Sequence, residues 1–253
     1  MPGAVLKSAI KRYCAAAPEG GAVKFFGGEP LLRFALVRAG IAQLEAAGFG
    51  GRVEVGTNGL LLDAAKVRFF SARPGVQVNV NTSVSVSARF SGLPNLIWNL
   101  LLPERDPCSA LEVLRRVLDV SGGRPPRVNV LPAYYRAWTP AGLSRLSGAL
   151  RRIRELADSG AVLIENASRS GPVPLFNPGI TVDTDGRCYH SNLVLAAKNA
   201  GQAAHMLAGG LEALDGPPRV PPDYAGMAKA LFGAGAVAGG LAADRLAEKI
   251  LLG

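Results

Sequence analysis

The chain has 253 residues, of which 49% are hydrophobic and 19% charged, a balance that builds one large globular core and excludes a disordered chain. The formal net charge is +9, and the three cysteines Cys14, Cys108 and Cys188 stand far apart, which excludes a disulfide framework and predicts a reducing, cytoplasmic setting. The segment MPGAVLKSAIKRY lacks the apolar stretch of a secretion signal, and the Gly/Ala-rich run at 230–243 is too short for a membrane span.

Residues 3–17 carry Leu6, Ile10, Tyr13 and Ala17 at helical spacing. AVKFF at 22–26 is a short strand that stops at Gly27-Gly28. A helix over 31–48 ends at Gly48, and RVEVG at 52–56 is the next strand, closed by Asn58-Gly59. A helix over 62–72 and a strand VQVNV at 76–80 follow. NLIWNLLL at 95–102 is a strand ended by Pro103, 107–120 a helix, RVNVLP at 127–132 a strand, and 140–158 a helix. Near-continuous apolar strands separated by amphipathic helices predict a parallel sheet covered by helices. Ligands of such sheets lie beyond the carboxyl ends of the strands.

After residue 160 the pattern changes. AVLIENA at 161–167 reads as a strand, and Asp185-Gly186 between alternating apolar residues predicts a hairpin. Residues 192–215 read as helical, GPPRVPPDY at 216–224 as a Pro-rich linker, and 225–252 as a last helical stretch with a Gly-rich middle. The predicted division is therefore 1–159 for the α/β part and 160–253 for a mixed α+β C-terminal extension. The basic cluster Arg145, Arg151, Arg152 and Arg154 lies in a helical pattern and reads as a solvated face. No aromatic residues interleave with it as a nucleic-acid binder would require.

KFFGGEPLL, residues 24–32, carries the most specific signal. Two glycines at a strand end let a ligand reach the backbone, Glu29 offers a carboxylate to an ammonium group, and Pro30 starts a helix at no cost. This segment resembles the Gly-Gly-Glu-Pro motif that ends the second strand of radical S-adenosylmethionine (radical SAM) barrels. VEVGTNGLLLD at 53–63 is similar to the family's third strand and turn, and NLIWNLLLPE to its fifth strand. The resemblance implies a partial (β/α)6 barrel that lacks its first strand. It implies S-adenosylmethionine as cofactor, bound by Gly27, Gly28, Glu29 and Pro30 at its methionine end, with Asn58, Asn81 and Ser83 nearby. Asn99 and Asn129, within strands, are further inward-facing candidates.

The resemblance also implies reductive cleavage of the cofactor to start radical modification of a substrate, with a peptide as the implied class. The TVDTDGRCYH hairpin is similar to a segment of the peptide-modifying members. The family holds a [4Fe–4S] cluster on CxxxCxxC thiolates. Cys14, Cys108 and Cys188 do not form that motif, so the expectation is an N-terminally truncated chain, inactive as written and without a cluster. The alternatives are a non-catalytic barrel that binds a peptide or partner, and a different barrel enzyme using Glu29 as acid or base. No zinc spacing, P-loop or nucleophile elbow is present, and neither nucleic acid nor membrane is an expected partner. Tyr134, Tyr135 and Trp138 are candidates to line a substrate pocket.

Overall fold

The computed structural model describes residues 1–17, 21–166, 178–216 and 223–253. They form two compact units: Met1–Val53 with Phe176–Gly233, and Glu54–Leu175 with Ala234–Gly253. Six strands make one sheet in sequential order: β1 (Ala22–Phe25), β2 (Arg52–Thr57), β3 (Val76–Asn81), β4 (Leu96–Leu102), β5 (Arg127–Pro132) and β6 (Leu163–Ile164). The pairings from β3 to β6 are all parallel, as the apolar strand pattern predicts.

In the first unit, α1 (Gly3–Ala16) packs with α2 (Phe34–Ala46). Gly40 lets α2 approach β1: a Cβ there would stand 2.7 Å from the Phe25 ring. The helix predicted over 31–48 is in fact a 3-10 turn, Pro30–Arg33, followed by α2. Glu29 caps that turn, and its side chain takes the Leu31 N–H.

The predicted hairpin is present. β7 (Pro178–Val182) pairs antiparallel with β8 (Cys188–Ser191), and Gly186 has φ 89° in the turn. The stretch 192–215 is not one helix. It breaks into a 3-10 turn Asn192–Ala196, a short helix Ala200–Ala204, β9 (Leu207–Gly209) and a second 3-10 turn Leu211–Leu214. The Asn199 side chain caps the Gln202 N–H and Gly209 has φ 134°, so local capping and a glycine turn win over a weak helical pattern. β9 completes a three-stranded antiparallel sheet. Cys188 is buried there with Ala9 and Leu214, and burial pushes its thiol up to about 11.

The second unit holds most of the parallel sheet, with helices Ala64–Ser71, Ser109–Val120, Pro140–Asp158 and Ala234–Leu252. Thr139 caps the helix Pro140–Asp158 through the Gly142 N–H, and Pro140 occupies its first turn, which fixes its start where the sequence predicts. Two elements of the stretch 160–253 join the second unit. β6 pairs with β5 as the sixth parallel strand, and the helix Ala234–Leu252 packs on Pro140–Asp158. The apolar Val162, beside β6, is buried. The last helical stretch is two helices, Tyr224–Phe232 and Ala234–Leu252, divided at Gly233 with φ 85°. Ala167 and most of the Pro-rich linker, 217–222, lie outside the described residues. No single described helix is long and apolar enough to cross a membrane.

Candidate functional site

Gly27, Gly28, Glu29 and Pro30 belong to the first unit, where they follow β1 directly. Gly27 has φ 129°, a conformation that side chains rarely adopt. A Cβ built on either glycine meets nothing within 4 Å. Neither glycine is therefore needed to let another part of this unit pack. Together they leave an open cradle of bare backbone at the carboxyl end of a strand. Glu29 is half-buried beside it, and its Oε1 accepts the Leu31 N–H at 3.0 Å. A carboxylate accepts several hydrogen bonds at once, so the capping role is compatible with a salt link to an ammonium group.

Asn58, Asn81 and Ser83 belong to the second unit. Asn58 serves a turn: its Oδ1 accepts the Leu60 N–H at 2.9 Å, while the Thr57 hydroxyl accepts the Gly59 N–H at 3.1 Å. Asn81 ends β3, and its backbone carbonyl accepts the N–H groups of Val84 and Ser85. That turn leaves the Ser83 side chain exposed.

Asn81 is joined to two residues in register. Asn81, Asn99 and Asn129 face one another across β3, β4 and β5. Residues opposite each other in a parallel ladder share a face. The Asn99 amide donates to Asn81 at 3.2 Å, and the Asn129 amide donates to Asn99 at 2.9 Å. The Asn129 side-chain oxygen is buried without a hydrogen-bond partner among the described residues, at the end of the row.

A second polar row lies on the strands of the same sheet. Gln77 donates to Asn79 at 2.8 Å, and Asn79 donates to Glu54 at 3.0 Å. Glu54 is only 4% exposed. Arg127 and Glu165 add an ion pair of 2.6 Å. Reasoning from sequence does not single out Glu54, Gln77 or Arg127. For the first two the available signal is the alternation of polar residues with valines in VEV and VQVNVN, which is masked where the strands read as continuously apolar.

Cys14 is half-buried and belongs with the buried Cys188 to the first unit, whereas the exposed Cys108 belongs to the second. Among the described residues no group of three or more His, Cys, Asp or Glu side chains could hold a metal ion. These thiols do not fit a thiolate-ligated cluster.

Tyr134, Tyr135 and Trp138 follow β5. Trp138 is buried and donates its indole N–H to the Ala133 carbonyl at 3.0 Å. Tyr135 has φ 58°, an uncommon conformation for a side chain of this size. The Tyr134 hydroxyl is buried without a partner among the described residues, and burial pushes its ionisation far above the usual phenol range.

No protein-family model matches this chain, and no curated protein does. Solved structures do match. A histidine-tagged form of anSMEcpe with bound AdoMet aligns with a TM-score of 0.61 at 14% identity, over 85% of this chain and 71% of that one. Native anSMEcpe with bound AdoMet and the Kp18Cys peptide aligns with a TM-score of 0.59 at 15% identity, over 85% and 72% of the two chains. The same protein with AdoMet and the Cp18Cys peptide gives 0.58 at 15% identity. anSMEcpe is an anaerobic sulfatase-maturating radical SAM enzyme. This chain shares the fold of anSMEcpe. At such identity the likeness concerns the course of the backbone, and the chemistry must be argued from the residues.

Proposed function

We propose that this chain is a radical SAM-type protein that binds S-adenosylmethionine and handles a peptide substrate. The observation that carries the reading is the cradle at Gly27 and Gly28, open to a Cβ on both residues and flanked by the Glu29 carboxylate, in a fold shared with AdoMet-bound structures. Gly27 and Gly28 present backbone groups to the methionine end of the cofactor. Glu29 takes its ammonium group, and Pro30 fixes the turn that holds Glu29 in place. Beside a reduced cluster, S-adenosylmethionine would be a source of radical chemistry, and the thiols of this chain do not form the thiolate set that such a cluster needs. The peptide class is supported by the peptide complexes of the similar structures.

The donor set argues that this chain is not catalytic alone. Three cysteines in unrelated positions offer single thiols, while such a cluster needs a thiolate set. A second reading, a cofactor- or peptide-binding barrel without radical chemistry, draws on the same observation. Anaerobic reconstitution tests whether the chain is without radical chemistry of its own: the expected result is much less than one cluster per chain, and a stoichiometric thiolate-bound cluster would overturn it. The cofactor itself is tested by calorimetry with S-adenosylmethionine. The wild-type protein should bind weakly, and absence of any binding would remove the reading.

A further inference from the structure

The second unit contains a cleft of about 320 Å³ beyond the carboxyl ends of β4 and β5. It is lined by Leu101, Pro103, Glu104, Arg105, Ala133 and Arg136. Its size is at the lower end of ordinary ligand pockets, and it lies where parallel α/β sheets place their ligands.

The loops that form it are held in place. After β4, the Arg105 carbonyl accepts a hydrogen bond from the Arg145 guanidinium at 3.3 Å. After β5, the Ala133 N–H donates to the Leu102 carbonyl at 2.9 Å, and Trp138 returns to the Ala133 carbonyl. Between them Tyr135 takes its positive φ, which reverses the chain so that Ala133 and Arg136 both border the cleft. On its other side this loop rests on Gly239, where a Cβ would stand 2.5 Å from the Arg136 carbonyl.

The charges in the cleft are unbalanced. Arg127, Arg152 and Arg154 of the same unit are ion-paired with Glu165, Glu155 and Asp158. Arg105 and Arg136 are exposed and have no ion pair among the described residues. Arg145 is exposed, as a solvated basic face requires, and also donates its guanidinium to the Arg105 carbonyl. Planar guanidinium groups recognise carboxylates by paired hydrogen bonds. Glu104 in the same cleft opposes a polyanion and offers an acceptor to backbone N–H groups. Leu101, Pro103 and Ala133 supply apolar contact for methylene groups. One carboxylate, flanked by amide N–H groups and carried on a short apolar stem, meets all these features.

We propose that this cleft binds an acidic side chain of a peptide substrate, with Arg105 and Arg136 as its recognition pair. The inference rests on the proposed peptide substrate and names its chemistry. The test uses short fluorescein-labelled Gly/Ser peptides that carry one central Glu or one central Gln, read by fluorescence anisotropy at low and high salt. Wild-type protein should bind the Glu peptide roughly tenfold more tightly than the Gln peptide. Salt should weaken that preference. The double variant Arg105→Ala/Arg136→Ala should lose it. Arg115→Ala/Arg116→Ala, which removes the same charge from an exposed helix face, should keep it. If wild type shows no Glu preference, through equal binding or none, the proposal falls. It also falls if the control pair abolishes the preference, since bulk charge would then explain it. Calorimetry with S-adenosylmethionine runs in parallel. A Glu preference without cofactor binding removes the radical SAM reading and keeps the cleft; cofactor binding without a Glu preference removes the cleft alone.

Discussion

The Glu29 carboxylate accepts the Leu31 backbone N–H at 3.0 Å, so the residue proposed to hold the cofactor is also the cap of the turn that follows. The two roles separate on substitution. Glutamine keeps a side-chain oxygen for the Leu31 N–H and loses the negative charge. Glu29→Gln should leave the melting temperature nearly unchanged and weaken S-adenosylmethionine binding roughly tenfold to a hundredfold, the worth of one charge-assisted bond. Glu112→Gln, an exposed carboxylate elsewhere, is the control. Equal cofactor binding by Glu29→Gln and wild type would show that Glu29 is a cap only.

Glycines give a second separation of structure from binding. A Cβ at Gly28 meets nothing within 4 Å and Gly28 is not in a positive-φ conformation, so Gly28→Ala should change stability by less than about 0.5 kcal/mol. It should still lower cofactor affinity, because the added methyl stands where the ligand approaches. Gly239→Ala has the opposite signature. Its Cβ would press on the Arg136 carbonyl at 2.5 Å and the Trp138 nitrogen at 2.6 Å, and neither backbone atom can rotate away. A loss of about 2 kcal/mol or more is expected in urea unfolding. If Gly28→Ala is the less stable of the two, the cradle is a packing device.

Strand β1 ends the sheet order, and Phe26 just beyond it is 52% exposed. An edge strand with an exposed aromatic residue invites pairing with another chain. Sedimentation velocity should therefore show self-association that rises with concentration, reduced in Phe26→Lys. A concentration-independent monomer would contradict it.

How much of the molecule is readable from sequence depends on whether the signal is local. β5 and the helix Pro140–Asp158 are located to the residue, because Pro132, Thr139 and Pro140 are stops and starts that act alone. GGEP is legible for the same reason. The stretch 192–215 misleads because its apolar residues mimic a helix while Asn199 and Gly209 cut it, and β9 forms only by pairing with β8. The Asn81–Asn99–Asn129 row needs the register of three strands, and the Arg105–Arg136 cleft needs two loops that are distant in sequence. Neither is encoded in a window of neighbours.

Asp244 is visible in the sequence only as the end of an apolar run, yet it is 3% exposed and neither carboxylate oxygen has a hydrogen-bond partner among the described residues. Burial, with a smaller contribution from the Glu248 charge, pushes its carboxyl up to about 7. An unfolded Asp ionises near 3.9. Between about pH 4 and pH 7 the folded chain thus keeps a proton that the unfolded chain releases. Stability from this group is greatest at low pH, falls as pH rises through that window, and stays at its lower level above it. The full difference is on the order of 2–4 kcal/mol. Asp244→Asn keeps the shape and cannot ionise, so it should gain stability relative to wild type as pH rises from 5 to 8. Taking the difference between the two proteins cancels the other titrating groups. Thermal unfolding across that range, monitored by circular dichroism, checks it: a melting-temperature gap between variant and wild type that does not widen with pH would mean that Asp244 ionises freely, and that the helix Ala234–Leu252 does not seal it from water.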